Sequence, residues 1–96
     1  MPEVEEGTWY GTRALKVAGK GFCRMREDPE TLVVPVDGLD GKEALLQGSP
    51  ETFTTIPHYD GHAMVLVRLE VVDPAELAEL LEDAWRLKAP KRLLSS

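Results

Sequence analysis

Ninety-six residues make one domain with room for a single modest core. Apolar residues are 43% of the chain and charged residues 29%, which excludes a disordered composition. The net charge of −6 argues against general affinity for polyanions, and no run approaches the roughly 18 apolar residues of a membrane helix.

The charge is unevenly placed. Arg13, Lys16, Lys20, Arg24 and Arg26 lie in an acid-free stretch, and so do Arg86, Lys88, Lys91 and Arg92. Between Glu27 and Asp83 stand fourteen acids against only Lys42 and Arg68. Any functional reading has to account for the two basic segments. The acidic opening Pro2-Glu3-Val4-Glu5-Glu6 has the wrong charge and hydropathy for a secretory signal, and one cysteine forms no internal disulfide. Both features point to an intracellular, cytoplasmic protein.

In chain order, Gly7 and Gly11 bracket Thr8-Trp9-Tyr10, which reads as an irregular opening loop. Two alternating runs follow, Arg13 to Ala18 and Phe22 to Glu27, around Gly19-Lys20-Gly21, a hairpin signal. A two-residue turn at Gly19-Lys20 would set Leu15 opposite Arg24 and mix apolar with basic residues on one face. A three-residue loop sets Val17 opposite Cys23, Leu15 opposite Met25 and Lys16 opposite Arg24. That register separates an apolar face from a basic one, so it is expected. The outer face then carries Lys16, Arg24 and Arg26, with Lys20 at the tip.

Asp28-Pro29-Glu30 reads as a turn and Thr31 to Val36 as a third strand. Pro35 lacks a donor, so this strand lies at an edge or ends there. Gly41 to Gln47 reads as a short helix stopped by Gly48, and Phe53 to Ile56 as a possible fourth strand. Ala63 to Val71 is the most apolar strand and is expected at the centre of the sheet. Asp73-Pro74-Ala75-Glu76 opens a helix, with Asp73 as cap, Pro74 at the first helical position and Glu76 placed for a capping box. Leu77, Leu80, Leu81, Ala84 and Leu87 form its buried stripe, with Trp85 beside it, while Glu79, Glu82 and Asp83 face solvent. Pro90 ends the helix and leaves a tail.

The two histidines stand four apart in Pro57-His58-Tyr59-Asp60-Gly61-His62. On a helix that spacing would align them, but Pro57 and Gly61 break the helix. A metal site needs three or four protein ligands, and Cys23 belongs to another strand, so no metal is expected. The segment reads as a loop turning into a strand, with a small-ligand site at His58, Tyr59 and His62 as the functional alternative. Cys23 falls on the apolar face, away from Lys16 and Arg24, as a buried structural thiol. No glycine-flanked serine and no phosphate-loop pattern exist. No carboxylate pair stands in an apolar setting, so no catalytic residue, cofactor or enzymatic activity is expected. Trp9 or Tyr10 is expected to cover one end of the core.

Three segments together resemble the MmcQ/YjbR family: EGTWYGTRAL with GKGF, TIPHYDGHAMVLVRL, and ELLEDAWRLKAPKRLL. The resemblance runs from Glu6 to Leu94. It implies an α+β fold, an antiparallel sheet of about five strands with helices packed on one side, similar to the CyaY-like group. It brings no catalytic residues. Family members commonly carry a DNA-binding label resting on a double wing of β-hairpins. His62 and Leu15 stand where relatives often have an aromatic residue. Relatives usually have a helix before the EGT segment, so the resemblance implies that this helix is absent or truncated and part of the sheet uncovered.

Together these readings point to a non-enzymatic protein that binds double-stranded DNA through Arg13, Lys16, Lys20, Arg24 and Arg26, with Lys91 and Arg92 assisting. So few cations on an acidic protein imply low affinity and strong salt dependence. The alternative is a protein-interaction module using the exposed sheet or the Trp9-Tyr10 loop, as a monomer or weak homodimer, with no membrane role.

Overall fold

The computed structural model describes residues 1–9, 11–26 and 30–94. Six strands form one antiparallel sheet: β1 (Val4–Trp9), β2 (Thr12–Val17), β3 (Lys20–Met25), β4 (Thr31–Pro35), β5 (Phe53–Thr54) and β6 (Met64–Arg68), in the order β1-β2-β3-β4-β6-β5. Three helices accompany them: α1 (Gly38–Gly48), α2 (Pro74–Lys88) and the short α3 (Lys91–Leu94). The α+β class and the antiparallel sheet agree with the sequence reading. The Asp28-Pro29 turn and Tyr10 lie outside the described residues.

Strand β4 explains the architecture best. Leu32 and Val34 point to one face and Val33 to the other, and all three are buried. A strand covered on both faces reads as a continuous apolar run. On the first face Val17, Phe22, Val34 and Val67 pack against Leu80, Ala84 and Trp85 of α2. On the second face Val33 and Leu66 pack against Tyr59, with Ile56 and Met64 beside them. Asp73 caps α2, accepting from the amides of Ala75 at 3.1 Å and Glu76 at 3.2 Å. Pro35 pairs with Met64 and ends β4, which is an interior strand.

Several sequence expectations are corrected. The opening loop is an edge strand, β1, paired with β2 from Val4↔Val17 to Trp9↔Thr12. An edge strand half covered on one face carries little alternation, so the ladder to β2 sets its conformation. The apolar run ending at Val71 pairs only to Arg68 and lies beside the outer strand β5. Val71 is exposed, in a turn whose amide donates to Arg68 O at 3.1 Å. Leu87 is also exposed. Trp85 is buried in its place and donates its indole N–H to Pro2 O at 3.1 Å. Beyond Pro90 the chain forms α3 and not an open tail.

The hairpin register differs as well. The turn is Ala18-Gly19, with φ of 49° and 82°, which brings Val17 opposite Lys20. Two left-handed residues in a two-residue loop match the twist of the strands. A bulge then shifts the pairing, so Lys16 faces Gly21 whereas Leu15 faces Cys23 and Ala14 faces Arg24. Relative to the expected register, Leu15 has moved by two residues of β3, and a shift of two preserves the faces. The bulge lets Phe22 and Cys23 both reach the core.

Ala18 holds its left-handed conformation at a steric cost that asparagine bears more easily. Ala18→Asn is expected to stabilise the fold by about 0.5–1 kcal/mol. A urea titration checks this: the midpoint rises with an unchanged slope.

Candidate anion-binding face

The second face of the sheet collects three of the seven predicted cations, Lys16, Arg24 and Arg26. The β1–β2 and β2–β3 registers place Glu5, Gly7 and Trp9 with Thr12, Ala14 and Lys16, and set Arg24 opposite Ala14. The Trp9 ring lies on Gly21, where a Cβ would come within 2.5 Å of it. This tryptophan covers the outer part of the sheet and not the end of the core. The stem of Lys16 runs over Gly7 in the same way, its Cδ 3.5 Å from where a Cβ would stand. Glycines at these two positions let long side chains lie flat across the strands.

Arg24 is held from three sides. One guanidinium nitrogen, Nη2, donates to the Tyr59 hydroxyl, and Nη1 lies 3.5 Å from both Thr12 Oγ1 and Met25 O. Tyr59 is itself fixed. It is buried in one turn of 3₁₀ helix, Pro57–Tyr59, and its carbonyl accepts from the His62 amide at 2.9 Å. The buried Lys42 of α1 donates its ammonium to the Tyr59 carbonyl and, at 2.9 Å, to the His62 carbonyl. The His58 ring stands edge-on to Tyr59, with centroids 4.9 Å apart.

These contacts frame a cleft of about 340 Å³ lined by Arg24, Arg26, Ile56, His58 and Tyr59. It shares Arg24 and Arg26 with a larger groove of about 850 Å³, whose apolar wall is Leu15, Met25, Leu32 and Leu81. The PHYDGH segment and the basic hairpin, two separate features of the sequence, therefore meet. His62 contributes its backbone to this arrangement, with its side chain exposed.

The other predicted cations do not join them. Arg13 has the opposite strand parity and pairs with Glu6 at 3.7 Å, both largely exposed. Lys20 is exposed at the turn end of β3. Arg92 pairs with Glu3, which lowers the Glu3 carboxyl and raises the guanidinium mainly through their hydrogen bonds. Lys91 is exposed on α3. Lys42 escaped sequence reasoning, although its spacing with Leu45 and Leu46 put it on the inward stripe of α1. Among the described residues, no three of His, Cys, Asp and Glu gather as a metal site.

The sequence profile of the YjbR family matches residues 1–87. The chain belongs to the YjbR family. Among similar proteins are the uncharacterised proteins Mb2600 of Mycobacterium bovis and Rv2570 of Mycobacterium tuberculosis, each 42% identical over 55 residues. The match covers 57% of this YjbR chain and 43% of each relative, so the chain spans less than half the length of the curated relatives it matches. No solved structure matches it significantly. Among the described residues no helix is long and apolar enough to cross a membrane.

Two measurements probe this construction. Lys42→Met keeps the apolar stem but removes the donor to two carbonyls, one of them buried with Tyr59. A loss of about 1–3 kcal/mol is expected, with faster amide exchange through residues 59–63. Cys23 is only 2% exposed, and burial pushes its thiol up to about 11. A raised thiol favours the folded state below its unfolded value of about 8.5, and this contribution is lost as pH rises towards the folded one. A thiol reagent at pH 8 is expected to label Cys23 at once in denaturant and hardly at all without it.

Proposed function

We propose that this YjbR protein is a non-enzymatic, intracellular DNA-binding protein that contacts duplex phosphates with the second face of its β2–β3 ribbon. Lys16, Arg24 and Arg26 supply the contacts, and Lys20, opposite Val17 beside the turn, adds positive charge from the ribbon's end. The observation that carries this reading is that Lys16, Arg24 and Arg26 share the second face of the ribbon, where Glu5 is the acid opposite Lys16. Among the described residues, no carboxylate lies within 4 Å of Lys16, Lys20 or Arg26, in a chain of net charge −6. The exposed acids of α2, Glu79, Glu82 and Asp83, stand on the far side of the sheet. A basic β-ribbon can track a backbone or enter a groove, and phosphate contacts position it without reading sequence. Arg13 and Arg92, each beside a carboxylate, take a lesser part.

Fluorescence anisotropy of a labelled duplex tests the reading. About three phosphate contacts predict a roughly 40-fold loss of affinity between 50 and 200 mM salt. The variant Lys16→Glu/Lys20→Glu/Arg26→Glu is expected to abolish binding while keeping its fold, since Arg24, which anchors Tyr59, is left in place. Absence of binding by the folded wild type at low salt would remove the DNA reading. The leading reading would then be a protein-interaction module using the apolar groove beside β2.

A further inference from the structure

We propose that the cleft between β3 and the Pro57–Tyr59 turn is a receptor for one phosphate oxyanion, gripped by Arg24 and Arg26 with His58 at its mouth. The inference rests on reading this face as phosphate-facing, and it adds a discrete, saturable site to a charged surface. Its walls are Arg24, Arg26, Ile56, His58 and Tyr59, and its volume of about 340 Å³ suits a small ligand group.

Three features distinguish it from a patch of surface cations. Arg24 is already oriented by the Tyr59 hydroxyl, by Thr12 and by Met25 O, so little side-chain freedom is lost when an anion arrives. The residue that orients it is buried and clamped through its carbonyl by Lys42. The donors are of the right kind: the Arg26 guanidinium offers paired N–H groups to a tetrahedral oxyanion, Arg24 adds its fixed positive charge, and imidazole adds a further donor when protonated. Among the described lining residues, Ile56 and the Tyr59 ring are the apolar walls, so the cleft selects the anionic group, and whatever the phosphate is attached to extends towards the ribbon or into the larger groove.

The shared chemistry is a phosphate, which can come from a DNA backbone or from a small phosphomonoester. Nuclear magnetic resonance separates the two. Inorganic phosphate is titrated into the labelled full chain, with sodium chloride at matched ionic strength as the control. Arginine Nε–H and histidine ring signals are followed with the amides. The expected result is saturable shifts at Arg24, Arg26 and His58, and an affinity at least tenfold lower in Arg26→Gln. Arg26→Lys is expected to recover part of that loss, because the charge returns without the planar donor pair. The unperturbed amide spectrum of Arg26→Gln serves as its fold control.

Shifts that track ionic strength equally in phosphate and chloride would overturn the site, even if duplex DNA binds elsewhere on the ribbon. Saturable phosphate binding without duplex binding would support the site and refute the DNA reading. A nucleoside 5′-monophosphate that competes with inorganic phosphate at the same three side chains, and binds more tightly than the duplex, would support the site and assign its source to a free phosphomonoester. A duplex that displaces inorganic phosphate from them would support it and assign the source to the backbone.

Discussion

The buried ammonium of Lys42 holds the Pro57–His62 turn against the sheet and, through it, Arg24. A lysine loses much solvation when buried, and here the carbonyls of Tyr59 and His62 replace water. The contact bends Pro57 to His62 into a compact turn against the second face of the sheet. Tyr59 then seats on Val33 and Leu66 and presents its hydroxyl to Arg24. A helix residue thereby sets the position of an arginine on β3 that it never touches. This relay runs through side chains far apart in sequence.

That distance explains what was legible in the chain and what was not. Local chemistry was readable. The Asp73-Pro74 start of α2, the end of β4 at Pro35 and the burial of Cys23 all depend on nearby residues or on strand parity. The register of the β2–β3 hairpin was not. Glycines at 19 and 21 favoured a longer loop, but Ala18 accepts a left-handed conformation and a bulge absorbs the difference. Sorting by face survived beyond the bulge because there the pairing moved by two residues and not by one.

The candidate site was half legible for the same reason. Lys16 and Arg24 were placed on one face by alternation alone, whereas Arg13 sits across the sheet from them. His58 and Tyr59 were recognisable as a candidate pair, yet nothing local ties them to the hairpin. Their meeting depends on β4 and β6 pairing next to β3, so that the turn leading into β6 packs on the face that carries Arg24, a topological fact. The opening strand was missed because its partner supplies the order that its own residues lack.

The two faces of the sheet also differ in kind. One is roofed by α2, whose outer surface is acidic, and the other carries the cations of the ribbon. A molecule built this way has a permanent electrical polarity although its total charge repels other anions. Near a strongly negative object the net repulsion slows approach, but the same field exerts a torque. If the ribbon meets a polyanion as proposed, that torque turns the helix side outward and the ribbon inward before contact. The acidic helix would then act as a rudder: it contributes nothing to grip and determines which side arrives first.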